Sequence, residues 1–196
     1  MLTVELTKKW MELFYAQIDQ EKAYLSELDT PIGDGDHGNN MKRGVDGVKD
    51  SLAKLKDPTL KETLRTIAMA LISKVGGASG PLYGTAFLEM AKKCDESQEP
   101  AILFAAALEG IKKRGGGAKE GDKTMVDVWA PTVKALTDGS FGTEQIKQAV
   151  ASTKEMIARK GRASYLGERS VGHLDPGGAM SSGYLFETFI AAGGVK

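Results

Sequence analysis

The chain has 196 residues, 41% hydrophobic and 27% charged, a length and balance that suit one compact domain with its own core. Lysine plus arginine and aspartate plus glutamate each number 26, so the formal net charge is zero, which argues against a dedicated nucleic-acid binder with its basic excess. A single cysteine, Cys94, excludes an internal disulfide or a paired-cysteine metal site, and no run of about 18 apolar residues is present to span a membrane.

Cys94 falls in an apolar periodic stretch and reads as a small core residue of a protein in a reducing compartment. Residues 1–9 lack the apolar centre of a signal peptide, so a cytoplasmic location is expected.

In chain order, apolar residues form eight stripes at helical spacing. The first four are Trp10, Leu13, Phe14 and Ile18; Met41, Val45, Val48, Leu52 and Leu55; Leu60, Leu64, Ile67, Leu71 and Ile72; Phe87, Met90, Ala91 and Cys94. The next four are Ile102, Leu103, Ala106 and Ile111; Val126, Trp129, Val133 and Leu136; Ile146, Ala149, Val150 and Ile157; Leu185, Phe186, Phe189 and Ile190. Asp57-Pro58-Thr59 starts the third helix, Thr124 with Asp127 makes a variant capping box for the sixth, and Thr143 is expected to cap the seventh. Pro131 predicts a kink in the sixth helix unless it lies in the first turn. With no alternating strand, the class is all-α with eight helices.

The connections fall into two kinds. Those after helices two, four and six are plain polar turns. Those after helices one, three, five and seven carry the glycine clusters, acidic groups and histidines. In an antiparallel up-and-down arrangement, alternate connections share one end. One composite site on one rim is therefore expected, built from loops on a rigid scaffold.

In the loop between helices one and two, Asp29, Asp34 and Asp36 are separated by glycines and followed by His37-Gly38-Asn39-Asn40. Crowded carboxylates are hard ligands suited to Mg²⁺ or Ca²⁺, though alone they also fit a solvated acidic turn. The helix start behind them favours a phosphate. Gly76-Gly77-Ala78-Ser79-Gly80 in the next special loop reads as an anion cradle or as a flexible turn. In the third, Gly116 could let a flat base approach, Met125 could pack on it or belong to the core, and Lys119 and Lys123 could attract phosphate or be solvated. In the fourth, Arg162 could pair with phosphate oxygens, and Asp175-Pro176-Gly177 is a turn.

Four stretches then match one pattern: Pro-Ile-Gly-Asp-Gly-Asp-His-Gly-Asn-Asn-Met at 31–41, Gly-Gly-Ala-Ser-Gly-Pro-Leu-Tyr-Gly-Thr at 76–85, Gly-Asp-Lys-Thr-Met-Val-Asp at 121–127, and Gly-Arg-Ala-Ser-Tyr-Leu-Gly-Glu-Arg-Ser at 161–170 with Asp-Pro-Gly at 175–177. In this order they resemble the nucleotide-binding L subunits of dihydroxyacetone kinases, over essentially the whole chain. The resemblance implies a single nucleotide-binding L domain over residues 1–196, folded as an eight-helix antiparallel barrel with the site at one end. It implies that Asp29, Asp34 and Asp36 hold two Mg²⁺ ions on the diphosphate of tightly bound ADP or ATP. It places His37, Gly38, Asn39, Asn40, Ala78 and Ser79 along the phosphates, Gly116 and Met125 at the adenine, and Arg162 with the backbone of Asp175, Pro176 and Gly177 around them. No catalytic side chain is implied.

As a free-standing domain, the chain resembles the bacterial phosphoenolpyruvate-dependent branch. There a phosphohistidine-bearing M subunit of the phosphotransferase system converts retained ADP to ATP. The γ-phosphoryl then passes to dihydroxyacetone held on a K subunit, giving dihydroxyacetone phosphate. K and M subunits are thus the implied partners, with a homodimer left open and no contact with nucleic acid or membrane. Tyr165 and Leu166, apolar in a polar loop, are expected in a partner contact. Two alternatives stand beside this: a kinase domain related to fatty-acid kinase, and a nucleotide-loaded regulator of a transcription factor.

Overall fold

The computed structural model describes residues 1–195. Among these it contains eight α-helices and no strand: α1 (Val4–Asp29), α2 (His37–Leu52), α3 (Leu60–Lys74), α4 (Ser79–Lys93), α5 (Pro100–Arg114), α6 (Val126–Asp138), α7 (Thr143–Ser152) and α8 (Ser181–Ala192). Each helix packs on the next, and α8 returns against α1, so the eight form a closed ring.

Local chemistry sets most helix ends. Thr3 caps α1 by accepting from the Leu6 N–H. Thr59 and Glu62 form a full capping box on α3. Pro100 occupies the first position of α5, where its missing N–H costs nothing. Gly139 and Gly193 end α6 and α8 in the left-handed conformation that glycine adopts without strain.

Several expectations are corrected. Thr143 is the first residue of α7 and not its cap; extended Gly142 takes that place without a side-chain bond. α7 stops at Ser152, where the chain tightens into a short 3-10 turn over Thr153–Glu155, with the Thr153 hydroxyl donating to Val150 O at 2.8 Å. Ile157 therefore lies outside the helix and is exposed, and Leu55 likewise falls beyond α2. Pro131 sits beyond the first turn of α6, which continues through it. The inward face of α5 is Leu103, Phe104, Ala107, Leu108 and Ile111, leaving Ile102 exposed.

The barrel is filled by an aromatic cluster. Trp10 of α1 meets Phe87, Phe104 and Phe189 with ring centroids 5.5, 5.7 and 5.0 Å away. Trp129 of α6 meets Phe186 at 4.8 Å, edge to face, the arrangement that ring quadrupoles favour. α8, which closes the ring, is buried around most of its circumference. Cys94 is buried, as its periodicity implied. Among the described residues, no helix is long and apolar enough to cross a membrane.

Phe104 touches Trp10, Trp129, Phe186 and Phe189. Phe104→Ala is expected to cost about 3–5 kcal/mol, the range for emptying a buried aromatic site. Urea unfolding followed by circular dichroism measures it; a loss under 1 kcal/mol would mean the barrel does not rest on this cluster.

Candidate functional site

A cleft of about 610 Å³ opens at one end of the barrel, within the size range of small-ligand sites. All four special loops line it: residues 29–37, 76–79, 115–125 and 160–178 each contribute.

The acidic part is built at the junction of α1 and α2. Asp29 is the last residue of α1, where the helix dipole disfavours a negative charge. Its carboxylate accepts from the Asp36 and His37 N–H groups at 3.1 and 3.3 Å. Gly33 permits the close fold: a Cβ there would stand 1.9 Å from Asp29 Oδ1. Asp29, Asp34 and Asp36 each offer a carboxylate oxygen, all within 4.8 Å of one another. Burial pushes the Asp29 carboxyl up; its backbone hydrogen bonds oppose this, and the neighbouring Asp34 and Asp36 charges reinforce it. Asp36 is oriented by the Asn40 amide, which donates to Oδ1 at 2.7 Å. Arg162 reaches across from the last loop, with Nη1 2.7 Å from Asp34 Oδ2. An all-carboxylate, partly exposed cluster fits a hard divalent cation such as Mg²⁺.

Beside it, the first turn of α4 presents backbone N–H groups that the helix cannot satisfy itself, with Ala78 and Ser79 on the cleft wall. Further in, Leu82, Ile111, Ala118, Met125 and Val126 make an apolar slot.

The floor is a buried polar chain. His37 Nε2 lies 3.2 Å from Ser181 Oγ, which donates to Gly177 O at 2.8 Å. The Tyr83 hydroxyl lies 2.6 Å from Ser181 Oγ and 3.0 Å from Ser182 Oγ, and the Trp129 indole donates to Ser182 Oγ at 3.1 Å. With the Ser181 proton on Gly177 O, His37 meets Ser181 as a donor through Nε2 and turns an unprotonated Nδ1 to the other side. Burial lowers the His37 imidazole to about 4, so it is neutral near pH 7.

Most residues singled out in the sequence share this cleft: Asp29, Asp34, Asp36, His37, Asn40, Ala78, Ser79, Met125, Arg162, Asp175, Pro176 and Gly177 all line it. Three stand aside. Gly38 is buried against α1, where a Cβ would lie 1.8 Å from Lys22 O; its smallness lets α2 approach α1. Asn39 is exposed. Gly116 is exposed beside the cleft, its carbonyl accepting from Lys160 Nζ at 3.0 Å.

Lys123 departs from both alternatives for it. It is buried, and its ammonium bonds backbone carbonyls of the last loop. Lys119 is exposed. Only half of the expected Thr124–Asp127 box forms: the Asp127 carboxylate accepts from Thr124 N at 2.7 Å and from Gly121 N at 2.5 Å, while the residue at the cap of α6 is Met125, without a side-chain cap bond. Tyr83, Ser181 and Ser182 had no sequence signal, because their partners come from distant helices.

Residues 31–191 match the DAK2 domain family. The chain is 49% identical over 190 residues to the PTS-dependent dihydroxyacetone kinase, ADP-binding subunit DhaL, of Lactococcus lactis subsp. lactis, covering 97% of this chain and 98% of that protein. It is 43% identical over 173 residues to the PEP-dependent dihydroxyacetone kinase, ADP-binding subunit DhaL, of Escherichia coli, covering 80% and 82%. In fold it is similar to the dihydroxyacetone kinase of C. freundii in complex with AMP-PNP and Mg²⁺, with a TM-score of 0.76 at 23% identity, over 100% of this chain and 34% of that one.

His37 generates a pH prediction. Its folded value lies near 4 against 6.5 unfolded, so the unfolded chain binds the extra proton between these values. The contribution is fully present above pH 6.5 and is lost as pH falls toward 4, a difference of about 3 kcal/mol. His37→Gln should flatten the stability slope in that window. An NMR titration of His37 with a midpoint near 6.5 would contradict it.

Proposed function

We propose that this chain, which belongs to the DAK2 domain family, is the ADP-binding subunit of a phosphoenolpyruvate-dependent dihydroxyacetone kinase. The observation that carries the reading is one cleft that joins three carboxylates within 4.8 Å, an open helix N-terminus and an apolar slot. That combination suits a magnesium-bound nucleoside diphosphate.

Asp29, Asp34 and Asp36 would hold the metal, for which we propose two ions because three carboxylates and a diphosphate concentrate more negative charge than one dication offsets. Bound magnesium would neutralise the phosphate charge. The N–H groups of the α4 first turn, the Ser79 hydroxyl and Arg162 would orient the phosphates. Met125, Leu82 and Ile111 would enclose the base, with Gly116 at its open edge. His37, buried and neutral, would serve as a hydrogen-bonding group and not as a phosphoryl carrier. Gly38 would contribute through packing, and Asn39 from the exposed side of the α2 start. The Asp175–Gly177 backbone would close the wall against His37.

Little bond-making chemistry is asked of this chain, because phosphoryl transfer depends mainly on positioning and charge stabilisation. An M subunit carrying phosphohistidine would recharge the bound nucleotide, and a K subunit would present dihydroxyacetone. The cleft is complete within one chain, so a homodimer is not needed to build it. Residues 1–196 would act as one nucleotide-binding unit. The similarity to ADP-binding kinase subunits favours this reading over a fatty-acid kinase domain or a transcription-factor regulator.

Purified protein is expected to retain ADP and Mg²⁺. Asp34→Ala should abolish metal-dependent retention while leaving far-UV circular dichroism near wild type; loss of helix content instead would make the loop structural. With K and M subunits, phosphoenolpyruvate, the general phosphotransferase proteins and dihydroxyacetone, dihydroxyacetone phosphate should form without free ATP. Strict dependence on added ATP would reject the phosphoenolpyruvate-linked reading.

A further inference from the structure

The loop between α7 and α8 carries Arg162 and Tyr165, the latter 88% exposed. Its two stems are gathered on a single atom. Lys123 Nζ donates to Met156 O at 3.2 Å on the outgoing stem, and to Ser170 O and His173 O, both at 2.6 Å, on the returning stem. These three acceptors use every proton of an ammonium group.

Lys123 is 2% exposed and sits at φ 60°, in the left-handed region that non-glycine residues seldom adopt. A buried cation persists only when its hydrogen bonds are satisfied, and a strained backbone only when its surroundings hold it. Both conditions are met here by one set of carbonyls. Around them, Ala158 N donates to Ser170 Oγ at 2.9 Å, Gly172 N to Lys154 O at 2.8 Å, and Arg159 N to Asp122 O at 3.0 Å. The stems are thereby joined to each other and to the loop that carries Met125. Between them, residues 160–163 form part of the cleft wall, as does Lys123 itself, and Arg162 reaches Asp34.

We propose that Lys123 is a positioning residue: its ammonium clasps both stems of loop 157–172 and so places Arg162 over the cleft, without touching the ligand itself. The functional part rests on the nucleotide reading above. The Nζ is committed to carbonyls, so its effect on a phosphate passes through the loop.

The test uses the full chain, with Mg²⁺ and ADP as the probe. Lys123→Met keeps the length of the side chain and removes the ammonium. ADP dissociation is expected to accelerate roughly 10- to 100-fold, the span that hydrogen bonds to a charged group correspond to. In nucleotide-free protein, the Ala158 and Gly172 amides should exchange at least about 10-fold faster by the same measure, with barrel amides unchanged. Lys123→Ala should regain loop protection when ethylammonium is supplied.

Wild-type exchange rates at Ala158 and Gly172 in Lys123→Met would overturn the proposal. Faster ADP loss with unchanged loop exchange would also overturn it, by assigning Lys123 to the ligand. If the variants do not fold, ¹⁵N NMR of the wild-type protein decides: a slowly exchanging lysine ammonium signal supports the clasp, and its absence rejects it. If wild-type protein binds no ADP, the nucleotide reading fails, while the exchange measurements still decide the clasp.

Discussion

Trp10 holds α8 against α1 in two ways at once. Its ring packs edge-on against Phe189 at 5.0 Å, and its indole N–H donates to the Leu185 carbonyl at 2.8 Å. The two helices stand at opposite ends of the sequence, and their contact turns a row of eight helices into a ring. Without closure, the loop before α8 would have no reason to stand beside the loop after α1. The contact of Arg162 with Asp34 depends on that neighbourhood. So does the contact of His37 with Ser181.

Beneath the cleft, the polar chain from His37 through Ser181, Tyr83 and Ser182 to Trp129 links α2, α4, α6 and α8. Hydrogen bonds in such a dry setting are stronger than in water, and each member becomes costly to remove. The chain therefore fixes side-chain orientation at the floor of the site more tightly than packing alone. Burial of Tyr83 disfavours its phenolate, which keeps the hydroxyl as a hydrogen-bonding group. The wall has a comparable device in Lys123, whose ammonium donates to three backbone carbonyls of the last loop.

The acidic cluster works against this stability. Three carboxylates share a small volume, and the helix end and partial burial both raise the cost of charging Asp29. A cation relieves that cost, and Arg162 already lies against Asp34. Among the described residues the opposite end of the barrel carries no such carboxylate cluster. There Lys61 pairs with Asp95, and the Leu2 N–H donates to Gln98 O at 2.7 Å, as ordinary turn contacts do. The crowded carboxylates are thus confined to the cleft rim, while the other rim, apart from the left-handed backbone of Asp57, is made of ordinary turn contacts.

By itself the sequence determined the eight helices, their order and the division between plain and special loops, because apolar periodicity and caps such as Thr59–Glu62 act over a few residues. It also marked the carboxylate cluster and the glycines around it, since their spacing is local. The inward face of α5 was misjudged, because Ile102 and Phe104 are equally apolar and only the neighbouring aromatics decide which turns inward. The end of α7 was set too late, because Thr153, where the helix ends, is tied through its hydroxyl to Asp175 N–H at 3.2 Å, far along the chain. Lys123 read as a phosphate binder or a solvated charge, since nothing near it announces carbonyls from positions 156, 170 and 173. Those choices, with the Ser181–Tyr83 floor and the clasped loop, belonged to the tertiary structure, because each rests on contacts that exist only once the ring has closed.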